Sequence, residues 1–267
     1  MRLNVISDLH VSSDRFGTKI DWMGFDPSRL APADYLIVAG DLGIANINKL
    51  AMSELKKATA GKFKKIIYCL GNHDYWTFPD LMTSMVDVSV APACPPTPKD
   101  KRTVVVDGDV VILACTLWTP VPENYRKAVR SKMNDFRYIS GFDIDKQNEM
   151  YSDDVFWLKK NMEKYAGKKI VVVTHHNPYI ELIPSSYLTS EMAELNPAYT
   201  VIDGSCDNIR PDVWICGHIH EPFDETLPIG AKHVRCIRNP IGYRFGTYSP
   251  MNPECSSENW YDKIIEV

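Results

Sequence analysis

Five apolar runs of this 267-residue chain break off in the same kinds of residue. RLNVIS (2–7) leads into Asp8-Leu9-His10, DYLIVAG (34–40) into Asp41, and KKIIYCLG (64–71) into Asn72-His73-Asp74. KKIVVVT (168–174) leads into His175-His176, and DVWICG (212–217) into His218-Ile219-His220. Six of the seven histidines sit at these ends, and only His233 lies elsewhere. A turn accounts for a Gly and an Asn, and a single terminal Asp is ordinarily a cap. Turns and caps do not account for imidazoles repeated at one strand end after another. In open α/β sheets the carboxyl ends of neighbouring strands converge on one crevice, where ligands bind. The repetition therefore asks for an α/β chain that gathers these ends.

The remaining patterning agrees. Further β-branched runs occur at 102–106 and 110–115, joined by the hairpin signal DGD, and at 232–237 and 262–267. Helical signals lie between the runs. One spans 47–60 and stops at Gly61; another spans 145–166, with Val155, Leu158, Met162 and Tyr165 on one face and Gly167 as the stop. Several strands are apolar on both faces, as strands buried between layers are. The Pro-rich piece 91–99 reads as a rigid connector too short to divide domains, no internal repeat is found, and the expectation is one domain over 1–267.

Composition excludes several classes. The formal net charge of -4 and the lack of an extended basic stripe argue against duplex nucleic acid or an anionic membrane as partner. No apolar run approaches the roughly 20 residues that span a bilayer, and MRLNVISDLH is not a signal peptide. The seven cysteines include no C-x-x-C pair and read as reduced thiols of a cytoplasmic protein, not as zinc ligands or disulfides.

Each motif alone is weak; GHIH is moderately specific, because residues two apart on an extended chain project the same way. Taken in order, DLH, GD, GNHD, THH and GHIH closely resemble the calcineurin-like metallophosphoesterase superfamily, from Leu3 to His220. LWTP (117–120), MNDFR (133–137) and NPIGY (239–243) are similar to bacterial or phage members of unassigned substrate. The resemblance implies an α/β four-layer α/β/β/α sandwich with two mixed sheets and a dinuclear metal site at the strand carboxyl ends. One metal would be held by Asp8, His10, Asp41 and His220, the other by Asp41, Asn72, His175 and His218. Asp41 and a hydroxide would bridge them. His73 would be the general acid for the leaving oxygen, and Asp74 would orient its imidazole. His176 is expected in the pocket or in a structural role.

Oxygen and imidazole donors without thiolate suit two divalent or transition-metal ions, manganese first, with Fe, Zn, Co or Ni as alternatives. Such a pair clamps a phosphoryl group and generates a nucleophile at neutral pH, while a histidine can protonate a departing alkoxide. The expected activity is hydrolysis of a small anionic phosphate mono- or diester, with cyclic-nucleotide or other diesters as the narrower alternative. GDLGIAN carries no Arg, unlike the GD-x-x-DRG of the family's protein phosphatases. A silent protein-binding scaffold is disfavoured by the intact ligand set, and a structural zinc protein by the lack of closed, Cys-rich coordination. The segment 119–137 holds Arg126, Lys127, Arg130, Lys132 and Arg137, and reads either as a basic lid or as a solvated helical face.

Overall fold

The structure is a computed structural model that describes residues 1–14, 17–77, 102–243 and 261–267. Two sheets form its middle. The smaller contains β1 (Arg2–Ile6), β4 (Tyr35–Ala39), β5 (Lys65–Cys69) and β12 (Ile264–Glu266), in the order β12-β1-β4-β5. Its first three strands in the chain run parallel, and β12 closes its edge antiparallel to β1. The larger contains β6 (Thr103–Asp107), β7 (Val110–Ala114), β8 (Lys169–Val173), β9 (Val213–Ile215), β10 (Phe223–Ile229) and β11 (Lys232–Arg238). Its order is β10-β11-β9-β8-β7-β6, parallel from β11 through β7 and antiparallel at both edges. A short hairpin, β2 (Ser12–Ser13) with β3 (Ile20–Asp21), stands apart.

The strands that read as apolar on both faces are the inner ones. β4 (YLIVA) and β7 (VVILA) are buried at every position. One face of each sheet packs on the other: Val5, Ile37 and Cys69 of the smaller share a core with Ile112, Val171 and Ile215 of the larger. The outer face of the smaller sheet, including Leu36 and Val38, is covered by Ala51 and Leu55 of α1 (Asn48–Ala58). The outer face of the larger, including Leu113, Val172 and Trp214, is covered by Met150, Tyr151 and Leu158 of α4 (Ile144–Lys164). The layers are therefore helix, sheet, sheet, helix, as expected.

α4 begins at Asp143, whose carboxylate accepts from Lys146 N at 2.8 Å. Its inward face is centred one residue away from the expected stripe. Met150, Tyr151, Asp154 and Leu158 are buried, whereas Val155, Met162 and Tyr165 lie half-buried at the margin. The polar member explains the offset: Asp154 accepts from Arg102 Nε at 2.7 Å and from Leu117 N at 2.9 Å. Between β7 and α4 lie two short helices, α2 (Arg126–Lys132) and α3 (Asp135–Tyr138); α5 (Ser190–Ala193) and α6 (Asn196–Tyr199) precede β9. The Pro-rich piece 91–99 falls outside the described residues, as do Cys94 and Cys255. The described cysteines, Cys69, Cys115, Cys206, Cys216 and Cys236, are buried and free.

Candidate metal centre

The carboxyl ends of β1, β4 and β5 meet those of β8 and β9 where the two sheets face each other. The approach is tight. His175 Nδ1 donates to Ala39 O at 3.0 Å, and His218 N donates to Asp8 Oδ1 at 2.9 Å, each joining the larger sheet to the smaller. Two glycines of the motifs make this approach possible. A Cβ on Gly71 would lie 2.1 Å from Asp41 Oδ1, and one on Gly217 would lie 2.5 Å from Ala39 O. The backbone is also bent to order: Asp8, His10, Asp41 and His218 all have positive φ, at 53°, 44°, 54° and 66°. Such a conformation costs a non-glycine residue about 1–3 kcal/mol and persists where the surroundings enforce it.

Three groups of donors result among the described residues, two of which match the expected ligand sets. Single ligand atoms of Asp8, His10 and His220 lie within 4.8 Å of one another, and so do those of Asp41, His175 and His218. Asp41 stands between them, its Oδ2 3.7 Å from His10 Nε2 and 3.3 Å from His175 Nε2. Asn72 joins the second group through its Oδ1, 3.0 Å from His175 Nε2. The structure thus brings together all seven side chains expected to hold metal.

The donor chemistry fits cations. His175 gives its Nδ1 hydrogen to Ala39 O, and Asn72 gives an amide hydrogen to Asp135 Oδ1 at 2.8 Å. His175 Nε2 and Asn72 Oδ1 then face each other as two acceptors, which needs a positive charge on or between them. A proton answers this demand as a metal ion does: burial opposes charge on His175, but Asp41's charge and hydrogen bond lift its pKa to about 9. His218 donates Nε2–H to Ala198 O at 3.2 Å, which leaves Nδ1 as its free nitrogen. Burial, together with the His175 charge, pushes the His218 pKa down to about 3, and burial likewise holds His10 well below the imidazole range. Both keep their lone pairs. Burial would raise Asp8, yet its bond to His220 and the charges of His220 and His175 hold it at about 2.

His73 lies beside the first group, outside the proposed ligand set, although its ring nitrogen forms the third group with His10 and Asp41, within 4.8 Å of one another. Its backbone N–H donates to Asp41 Oδ1 at 2.9 Å, and its ring stacks on Trp76 with centroids 3.5 Å apart. Burial lowers its pKa to about 4 against the pull of Asp41.

Asp74 does not orient that imidazole. Its carboxylate accepts from Asp41 N at 2.9 Å, Gly71 N at 2.6 Å, Gly43 N at 3.4 Å and Asn48 Nδ2 at 2.9 Å. It ties the tips of β4 and β5 together, and burial with the nearby Asp41 charge raises its pKa to about 7. The residue next to His73 in the chain is thus committed to the backbone of Asp41, Gly43 and Gly71 and to the Asn48 side chain. His176 is buried at 1 % exposure, with its ring 5.0 Å from that of Trp118 and 4.4 Å from that of His218.

Sequence reasoning missed Asp135, which lies within MNDFR and was given no role. It accepts from Asn72 Nδ2 and, at 2.7 Å, from Trp76 Nε1, so it sets which end of the Asn72 amide faces the metal groups. For the basic segment, with its two readings of lid or solvated face, the bonds of Arg126 and Arg137 run along the segment itself and to the start of α4. Arg126 pairs with Glu123 at 3.0 Å and Asp145 at 2.6 Å, and Arg137 donates to Ser131 O and Asn134 Oδ1. What this segment sends to the site is an acid.

Oxygen and imidazole donors gathered at strand ends between two mixed sheets define a metallohydrolase site. A model of the calcineurin-like phosphoesterase family matches residues 1–222. The chain belongs to that family and is a metallophosphoesterase, a hydrolase of phosphoester bonds. Among solved structures it is similar to a phosphopantetheinyl hydrolase from Mycobacterium tuberculosis, at 18 % identity and a TM-score of 0.57, covering 90 % of this chain and 89 % of that one. It is also similar to a purple acid phosphatase from yellow lupin (Lupinus luteus) seeds, at 12 % identity and a TM-score of 0.40, covering 95 % of this chain and 46 % of that one. No curated protein matches the sequence significantly. Among the described residues no helix is long and apolar enough to cross a membrane.

Proposed function

We propose that the chain hydrolyses a small anionic phosphate ester, mono- or diester, with two divalent ions held by Asp8, His10, Asp41 and His220 and by Asp41, Asn72, His175 and His218. Manganese is the first choice, with Fe, Zn, Co or Ni as alternatives that oxygen and imidazole donors without thiolate also suit. The observation that carries the reading is the pair of donor groups on either side of Asp41, with His73 alongside. When bound, two such cations neutralise phosphoryl charge and acidify water. The chain's own residues do the rest. Asn72 contributes a neutral donor, which keeps the site more positive than a third carboxylate would and favours an anion. His73, held by Trp76 and Asp41, stands ready for the leaving oxygen.

Hydrolysis forms a bond from water oxygen to phosphorus and breaks the ester P–O bond. The leaving oxygen takes a proton from His73, and a water proton restores it. Burial keeps His73 neutral in the free site, and an arriving phosphate adds the negative charge that favours its protonation. The cyclic-nucleotide or other diester reading draws support from the tyrosines beside the second group. Tyr199 lies 5.2 Å from the His218 ring and Tyr187 5.0 Å from Tyr199, ring surfaces suited to a planar second substituent. The buried free thiols support a reducing, cytoplasmic setting, and the pairing of β12 with β1 supports one domain.

The test is an activity screen of the manganese-loaded protein against mono- and diesters side by side, with metal content measured. Turnover with two ions bound is expected. Asp41→Ala is expected to lose both ions and activity together. Loss of a single ion, or full turnover without metal, would overturn the reading.

A further inference from the structure

The segment 239–243 supplies none of the proposed ligands, yet its backbone is laced to the first ligand-bearing strand end. Ser7 N donates to Asn239 O at 3.1 Å, Ile241 N to Ser7 O at 2.9 Å, and Gly242 N to Asp8 O at 2.9 Å. Asn239 Nδ2 adds a bond to Val5 O at 2.8 Å. Gly242 has φ of +71°, which glycine adopts without strain. The register so fixed places Tyr243 over the first donor group. Its ring centroid lies 4.4 Å from that of His10 and 4.6 Å from that of His220, and its Oη lies 3.0 Å from His73 Nε2.

The other described neighbours of His73 are less exposed. Trp76 is 8 % exposed and covers one ring face, and the His10 ring meets it edge-on at 4.5 Å. Asp41 takes the backbone N–H. Tyr243 is 47 % exposed. Among the described contacts of His73 it is the one that opens to solvent, so a leaving oxygen approaching Nε2 meets the phenol hydroxyl there.

We infer that Tyr243 is a positioning residue for departure of the leaving group: its hydroxyl holds His73 Nε2 at the mouth of the site and yields that nitrogen to the ester's leaving oxygen. The inference rests on the phosphoesterase reading with His73 as proton donor. The transferred proton comes from His73, the P–O bond breaks towards the leaving oxygen, and Tyr243 gives up one hydrogen bond and no proton.

The experiment compares the manganese-loaded wild type with Tyr243→Phe on p-nitrophenyl phosphate, which leaves without help, and on an alkyl phosphate, which needs a proton. Loss of one positioning hydrogen bond is expected to lower kcat on the alkyl ester about tenfold, with p-nitrophenyl phosphate within about twofold. A second readout needs no turnover. In nitrogen-15 spectra of the chain without added metal, the His73 Nε2 resonance is expected to shift in Tyr243→Phe. Equal losses on both esters, no loss on either, or an unmoved resonance would overturn the inference while leaving the phosphoesterase reading intact. A wild type inactive on both esters would overturn the reading itself, and the inference with it.

Discussion

Asp74 and Asp135 show how far single residues could be read. Asp74 sits next to His73 in the chain, which made a partnership look natural, yet it bonds the backbone of Asp41 and Gly71. Asp135 is 63 residues from Asn72 and orients it. The ligand types were legible because donor chemistry is written in the side chain. Their supporting bonds were not, because these depend on which loops fold back over the strand ends. MNDFR and NPIGY were the visible signals for Asp135 and Tyr243, segments noticed without a role. Removing the support should be felt at one ion. Asp135→Ala frees the Asn72 amide to rotate, and the ion of the second group is expected to bind about 10–100-fold more weakly. The first should keep its affinity, a contrast that titration calorimetry with manganese resolves. Equal weakening of both ions would contradict the assignment.

The elements were legible in type and order because their periodicities differ, two residues in strands and 3.6 in helices. The face of α4 was misjudged by one position because Asp154 counts as polar, whereas Arg102 and Leu117 N satisfy it in the interior. The strand ends themselves depend on the smallest residue. At Gly71 an added methyl would stand 2.7 Å from Asp41 N, an atom that cannot swing away as a side chain can. Gly71→Ala should therefore push the tips of β4 and β5 apart. A destabilisation of about 1–3 kcal/mol is expected from urea unfolding, with fewer than two ions retained. A variant as stable as the parent, with both ions, would show that the tips have slack.

The buried carboxyls shape how the whole molecule responds to pH. Burial pushes Asp154 up to about 6, against the pull of Arg102. The folded chain then binds a proton between about pH 4 and 6 that the unfolded chain has released, so stability falls as pH rises through that window. The contribution is at most about 3 kcal/mol, from about two pKa units. Asp154→Asn should flatten the pH dependence of urea unfolding there, whatever its effect on absolute stability. An unchanged slope would mean that Asp154 is ionised throughout. The arrangement of the donors carries a separate consequence. The first group draws Asp8 and His10 from one sheet and His220 from the other, and the second draws Asp41 and Asn72 against His175 and His218. His10, Asp41 and His73 form a third group from the smaller sheet alone, but each of the two proposed ligand sets needs both layers. An ion seated in either proposed set therefore rivets that seam at its working rim.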